Sequence, residues 1–314
     1  MKKYNIFIDG EHGTTGLQIR QRLETHPTIN IVSIDPDKRR DPDAKRRIMS
    51  RVDVAVLCLP DDAARSAAVL AADAGCRVLD ASSAHRTADG WVFGIPELCS
   101  GQRVAIREAS KVSNPGCYST GAILLLRPLV DAKLLPAGVP YSITAVSGYT
   151  GGGNKLIKQY EHAQAPPSHA TYGLDFSHKH IPEIKRWSNL EVLPFFLPSV
   201  GNFRQGMLVF IPIFDPAGEG GRLFHEKLGR YYETESFVQV LPYNEIDSAT
   251  APFITPHGMD GTNLALLGVF GSGESDKSLL VAKLDNLGKG ASGAAVQNLN
   301  VMLGLDEATA TSLA

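Results

Sequence analysis

One cysteine stands where the chain can make it a nucleophile. Cys117 follows Ser113-Asn114-Pro115-Gly116 and opens a stretch that continues as Ala122-Ile123-Leu124-Leu125-Leu126. Pro115 and Gly116 break what precedes them, and the apolar run predicts a helix with Cys117 in its first turn. There the free N–H groups and the positive end of the helix dipole favour a thiolate over a thiol. A buried cysteine packing as a small hydrophobe is the alternative reading. What favours chemistry is a nucleotide site elsewhere in the chain.

A second reactive cluster is Ser177-His178-Lys179-His180-Ile181-Pro182-Glu183. Pro182 suits the first position of a helix. Two histidines at i and i+2 with no third ligand of obvious type nearby are a weak zinc signal, so no metal is expected. An imidazole paired with Cys117 would stabilise the thiolate and act as general acid or base, and its ordinary pKa near 6.5 suits that work. Either His178 or His180 can be that partner, the other packing or capping the helix.

The nucleotide site is at the N-terminus. The strand-like run Tyr4–Ile8 leads into Asp9-Gly10-Glu11-His12-Gly13-Thr14-Thr15-Gly16, and Leu17, Ile19 and Leu23 follow at helical spacing. Gly10, Gly13 and Gly16 let the backbone approach a pyrophosphate, and Thr14 and Thr15 open the helix that would donate to it. The spacing differs from the usual G-x-G-x-x-G, but strand before and helix after is the confirming context. A second strand, Ile29–Ile34, ends at Asp35, where an acid often holds a ribose hydroxyl. Lys38, Arg39 and Arg40 follow at once, and an Arg fork suits the extra phosphate of NADP; NADP(H) is the expected cofactor. Together these groups fit one reaction class: a thiolate attacks an activated acyl group, phosphate leaves, and hydride reduces the thioester to an aldehyde.

These groups need a scaffold, and the 314 residues allow two domains. Strand Val52–Leu59, an Ala-rich helix Asp61–Ala74 capped by Asp61 or Asp62, and strand Arg77–Asp80 continue an alternation that predicts a doubly wound parallel sheet. In such sheets ligands bind at strand carboxyl ends, which points to Pro60–Asp62 and to Ala81–Arg86. The latter carries Ser82 beside the expected nicotinamide and Arg86 as a phosphate grip. Beyond Gly116, strands Tyr141–Val146, Leu193–Leu197, Met207–Phe214, Asn263–Phe270 and Leu279–Leu284 outnumber helices Asn154–Ala163, Pro182–Ser188 and Gly221–Glu233. That pattern predicts an α+β domain on an antiparallel or mixed sheet. Gln164–Lys179 reads as a long loop, and Asn286–Leu303 as the last helix.

Net charge is −2, so neither a nucleic-acid nor a membrane-surface partner is expected. There is no secretory leader pattern and no apolar stretch of transmembrane length. Cys58, Cys76, Cys99 and Cys117 are scattered without C-x-x-C spacing, which fits a reducing cytoplasm.

The segments FIDGEHGTTG (7–16), DASSAHR (80–86), GIPEL (94–98), SNPGCYST (113–120), SGYTGGG (147–153), HKHIPE (178–183) and DNLGKGASGAAVQ (285–297) together resemble the N-acetyl-gamma-glutamyl-phosphate reductase family in its short, type 2 form. The resemblance spans nearly the whole chain. It implies a Rossmann-type NADP domain (1–116 and 286–314) and an α+β catalytic and dimerisation domain (117–285) of semialdehyde-dehydrogenase type, in a homo-oligomer, dimer or tetramer. It implies NADPH-dependent reduction of N-acetyl-glutamyl phosphate to the semialdehyde in arginine biosynthesis, with Cys117 as nucleophile and His178 or His180 as acid/base. Ser147, Gly148, Gly151 and Asn286 join the cofactor site, and Asn114 and Glu183 join Arg86 at the substrate. The alternatives are a relative acting on aspartyl or aminoadipyl phosphate, and a catalytically silent NADP-binding sensor.

Overall fold

The computed structural model describes residues 2–214, 220–245, 252–271 and 276–312, and the chain divides into two units, Met1–Pro115 with Ala291–Ala314, and Gly116–Gly290.

In the first unit the order is β1 (Tyr4–Asp9), α1 (Thr14–Glu24), β2 (Ile29–Val32), α2 (Pro42–Met49), β3 (Val54–Leu57), α3 (Asp61–Asp73), β4 (Arg77–Asp80), β5 (Val92–Phe93), α4 (Gln102–Glu108) and β6 (Lys111–Ser113). The strands form one sheet in the order β2-β1-β3-β4-β6-β5, and every pair in it is parallel. Side chains alternate across each strand. Ile6, Ile8, Val54 and Val56 therefore pack on one face with Ile19, Leu23 and Ile106, while Phe7, Ala55 and Leu57 pack on the other with Met49, Ala67 and Ala71. Both faces are covered, which is why these strands are apolar throughout. Ala64, Ala67, Ala68 and Ala71 make the buried stripe of α3. Neither Asp61 nor Asp62 caps that helix: Pro60 is the N-cap, without a side-chain bond, and the Asp61 carboxylate accepts the Ser83 N–H and hydroxyl instead.

The second unit runs α5 (Cys117–Asp131), β7 (Ser142–Gly148), α6 (Gly153–His162), β8 (His169–Thr171), α7 (His180–Trp187), β9 (Phe195–Gly201), β10 (Met207–Phe214), α8 (Gly220–Tyr232), β11 (Val238–Val240), β12 (Ala265–Gly271) and β13 (Lys277–Leu284). Its sheet is mixed, in the order β11-β12-β13-β10-β7-β9-β8, with β7/β9 and β11/β12 parallel and the other pairs antiparallel. Helix α5 is buried along almost its whole length. It lies close against β10 and β13 because Gly121 faces them. A Cβ there would stand 2.9 Å from Val209 Cγ2 and 3.2 Å from Ala282 Cβ.

Three elements differ from expectation. The long loop after α6 contains β8, a three-residue edge strand too short to leave a sequence period. Helix α7 begins at His180, with Lys179 as N-cap, so Pro182 is its third residue and not its first. The third N–H of a helix has no intrahelical acceptor, so proline costs no helix bond there either. The last helix, α9 (Gly293–Leu303), starts only after a wide turn at Gly288–Ser292. The return to the first unit accordingly begins at Ala291 and not at 286; the side chains of Asp285 and Asn286 bond to Gly261, Gly206 and Thr150 of the second unit. No helix among the described residues is long and apolar enough to cross a membrane.

Gly121→Val forces a branched side chain into the α5–sheet contact. The expected loss is about 1–3 kcal/mol of unfolding free energy, read as a lower urea midpoint at unchanged m value.

Candidate active site

Cys117 is the first residue of α5, preceded by the N-cap Gly116 in extended conformation (φ −81°, ψ 153°) with no side-chain cap. The peptide N–H groups of that turn and the dipole of a 15-residue helix favour an anion at this position. Around it the backbone is tied down. Glu183 Oε1 accepts the Gly116 N–H at 2.8 Å, and the Ser119 and Thr120 hydroxyls both donate to the Gly116 carbonyl at 2.9 Å. The cysteine itself is half-buried.

The neighbouring Tyr118 collects the aromatic groups of the site. The His180 ring packs against it at 5.8 Å between centroids and the His178 ring at 6.3 Å, while the two imidazoles lie 4.7 Å apart, edge to face. His178 Nδ1 accepts the His180 backbone N–H at 3.2 Å. A neutral His178 must then carry its proton on Nε2. His178 is half-buried and His180 buried. The Tyr118 hydroxyl donates to the Ser199 carbonyl at 2.8 Å, and Tyr172 donates to Tyr118 at 3.4 Å. Burial pushes the Tyr172 phenol up to about 12, with the Cys117 charge adding to the effect; burial likewise pushes Tyr118 well up, with Tyr172 and Cys117 adding to it. Although Tyr172 shows 40% of its surface to solvent, its hydroxyl end lies inward against Tyr118. Both phenols stay neutral donors beside the thiol. The sequence reading missed these tyrosines; the aromatic next to the cysteine was the one signal available.

In the first unit the glycine turn has the tightness expected of a phosphate loop. Gly10 has φ +93°, and a Cβ on it would sit 2.3 Å from the Cys58 carbonyl oxygen. One on Gly16 would sit 2.4 Å from the Gly10 carbonyl oxygen. The N-cap of α1 is Gly13, which brings no side chain to cover the Thr14–Thr15–Gly16 turn, and no acid stands in that turn. These features fit a dinucleotide pyrophosphate. Asp35, expected at a ribose, accepts the Asp37 N–H at 3.1 Å through one carboxylate oxygen and caps the short turn Pro36–Lys38. Arg39 and Arg40 are exposed and face no carboxylate among the described residues, whereas Lys38, Arg46 and Arg47 lie beside Asp35, Asp43 and Asp41.

Several polar residues expected at ligands also bond within the chain. Arg86 donates through Nε to the Asn114 carbonyl at 3.0 Å and through a terminal nitrogen to the Ala81 carbonyl. The Asn114 amide donates to the Ala291 carbonyl and accepts from Asn298. Ser82 donates to Asp80, which also receives His85 Nδ1 at 2.6 Å. Glu183 is wholly buried on the Gly116 N–H. Asn286 accepts the Gly206 N–H and donates to Thr150. Ser147 donates to the Gly148 carbonyl. The stretch after β7 is partly tied to neighbouring backbone. The N–H groups of Gly148, Tyr149 and Thr150 donate to carbonyls of Gly206, Phe203 and Arg204, and only Gly151 and Gly152 lie exposed.

Burial pushes the Cys58 thiol up to about 12, with the Asp80 and Asp9 carboxylates adding to it, and the Cys76 thiol up to about 11. Raised thiols hold little thiolate at neutral pH. Iodoacetamide at pH 8 is therefore expected to label Cys117 while leaving Cys58 and Cys76 unmodified in the folded protein. Comparable labelling rates at Cys58 and Cys117 by peptide mass would contradict this electrostatic picture.

Residues 5–107 match the family model described as the semialdehyde dehydrogenase NAD binding domain, and residues 117–286 match the semialdehyde dehydrogenase dimerisation domain. Among solved structures, the chain is similar to aspartate semialdehyde dehydrogenase from Francisella tularensis (TM-score 0.73, 13% identity, 96% of this chain and 100% of that one). It is also similar to aspartate semialdehyde dehydrogenase II from Vibrio cholerae complexed with ASA (TM-score 0.70, 16% identity, 97% and 99%). At such identities the likeness is one of fold. Sequence relatives are much closer. N-acetyl-gamma-glutamyl-phosphate reductase 2 of Nostoc sp. is 49% identical over 98% of this chain and 99% of that protein, and N-acetyl-gamma-glutamyl-phosphate reductase of Brucella ovis is 48% identical over 96% and 99%. With a cysteine opening a helix, a histidine pair packed on the next residue, a glycine-rich βα turn and relatives at 48–49% identity over nearly its whole span, the chain belongs to the N-acetyl-gamma-glutamyl-phosphate reductase family.

Proposed function

We propose that this protein catalyses the NADPH-dependent reductive dephosphorylation of N-acetyl-gamma-glutamyl phosphate to the semialdehyde, a step of arginine biosynthesis. The observation that carries the reading is Cys117 at the first position of α5, with the His178 and His180 rings packed around its neighbour Tyr118. The Cys117 thiolate attacks the acyl carbon; the carbon–oxygen bond to phosphate breaks, phosphate leaves, and a thioester remains on Sγ. Bound NADPH supplies a hydride to that carbonyl carbon. An imidazole of the pair gives the proton that the developing alkoxide needs and takes it back as the carbon–sulfur bond breaks, releasing aldehyde and restoring the thiolate. His180, buried and nearer to Tyr118, is the acid/base; His178 orients the segment through Nδ1. Gly10, Gly13, Thr14, Thr15 and Gly16 would hold the pyrophosphate, and Arg39 and Arg40 the 2′-phosphate. The Asp35 carboxylate lies 3.9 Å from the Lys38 ammonium, which offsets its charge there. We further infer a homo-oligomer, since the seven-stranded unit matches a dimerisation-domain model.

Release of inorganic phosphate coupled to NADPH oxidation, assayed on N-acetyl-gamma-glutamyl phosphate and on aspartyl phosphate, tests this directly. Cys117→Ser should lower kcat by about 10³-fold or more, since a hydroxyl is hardly ionised at neutral pH. His180→Asn should cost about 10²–10⁴ in kcat, and His178→Asn should act mainly on KM or stability. Full kcat in both histidine variants, or preference for aspartyl phosphate, would overturn the assignment.

Arg39→Ala with Arg40→Ala should raise KM for NADPH by about tenfold or more, with little change for NADH, because a guanidinium fork recognises the phosphate that NADH lacks. Equal use of both coenzymes by the unaltered protein would refute the cofactor choice.

A further inference from the structure

Gly290 touches the backbone of Cys117. A Cβ on it would lie 2.8 Å from Cys117 Cβ and 3.2 Å from Cys117 Cα, inside the 3.5–4.0 Å at which carbon atoms rest. Gly290 is held there by the turn that leaves β13. Its N–H donates to the Asp285 carbonyl at 2.9 Å. Asp285 is wholly buried, and its carboxylate gathers that turn and two other segments. Oδ1 accepts the Leu287 N–H at 2.9 Å, while Oδ2 accepts the Gly261 N–H at 2.8 Å and the Gln205 amide at 2.6 Å. Gly288, between them, approaches Thr262 so closely that a Cβ would fall 1.9 Å from its carbonyl oxygen. The turn therefore cannot shift outward without tearing the Asp285 knot, nor accept a side chain at 288 or 290. On the other side, α5 is buried from Tyr118 through Leu126 and has no room to retreat.

We propose that the Asp285–Gly290 turn is a positioning device for the nucleophile: Gly290 is the seat of the Cys117 backbone, and the Asp285 carboxylate fixes the height of that seat. The proposal rests on Cys117 being the nucleophile. Its physical content is that a displaced Cys117 leaves the first-turn N–H groups that favour its thiolate and misses the geometry of attack, where small errors are costly. Asp285 and Gly290 act through Cys117 and take no part in bond making.

The test uses the full-length protein, with iodoacetamide labelling of Cys117 followed by peptide mass, alongside kcat, KM for NADPH and Tm. Gly290→Ala is expected to slow labelling by about tenfold and to lower kcat at least as much, with KM for NADPH within about twofold. Asp285→Asn keeps the volume but turns an amide donor toward N–H donors, and should move both readouts the same way by a smaller factor. Labelling and kcat within twofold of the parent in Gly290→Ala overturn the proposal. If that variant does not fold, Asp285→Asn decides, and then Gln205→Leu, which removes one donor from a half-exposed position; the same twofold limit applies. Loss of folding in all three assigns the turn to stability and overturns the proposal as well. A parent that labels rapidly yet shows no turnover on the acyl phosphate would sink the functional reading while leaving the seat to be judged by labelling alone.

Discussion

The Glu183 carboxylate on the Gly116 N–H is the contact on which the arrangement of the thiol site depends. Helix α5 is buried against a sheet along most of its length, and its entrance at Gly116 lies buried with it. A buried N–H without an acceptor costs about 1–3 kcal/mol, and Gly116 has no side chain with which to cap its own helix. Glu183 supplies the acceptor from α7, three residues after His180 and so on the same face of that helix. One bond thus satisfies the helix entrance and docks the histidine-bearing helix on the cysteine-bearing turn. Cys117 follows at the first position of the helix.

The same device recurs at other strand ends. Asp80, the last residue of β4, takes the Ser82 N–H, the Ser82 hydroxyl and His85 Nδ1. Asp285, after β13, takes N–H and amide donors from three segments. Burial pushes the Asp285 carboxyl up, and its hydrogen-bond donors oppose that rise. Asp9, after β1, is similarly pushed up by burial, but is answered by the Lys45 ammonium at 2.6 Å. Carboxylates so placed convert loops at the carboxyl edge of a sheet into rigid turns. A site assembled from loops then behaves as though built on regular elements.

What the sequence made legible was local. Pro115-Gly116 before an apolar run placed Cys117 at a helix start, glycines between a strand and a helix placed the phosphate turn, and alternating strands and helices placed the parallel sheet. What stayed hidden depends on tertiary partners. A polar residue inside a motif reads as ligand-facing, and sequence cannot display the carbonyls and N–H groups that Arg86, Asn114, Asn286 and Ser147 also bond. Strand β8 exists because β9 offers it an edge, and its three residues carry no period of their own. Helix α7 starts two residues early because His178 Nδ1 and the His178 carbonyl accept the first N–H groups, a local cap with no signature of its own in the sequence. The continuation of the second unit to Gly290 follows from Asp285 and Asn286 facing into it.

Two phenols beside a thiolate could have been a liability, since a second anion in the same cavity would repel the first. The low polarity that pushes Tyr118 and Tyr172 up removes that problem: over the range in which a thiolate and an imidazole work, both phenols remain protonated. They can donate hydrogen bonds but cannot compete for the histidine proton. The aromatic packing of His178 and His180 on Tyr118 therefore has an electrostatic consequence as well as a steric one. It sets both imidazoles against phenols that stay neutral.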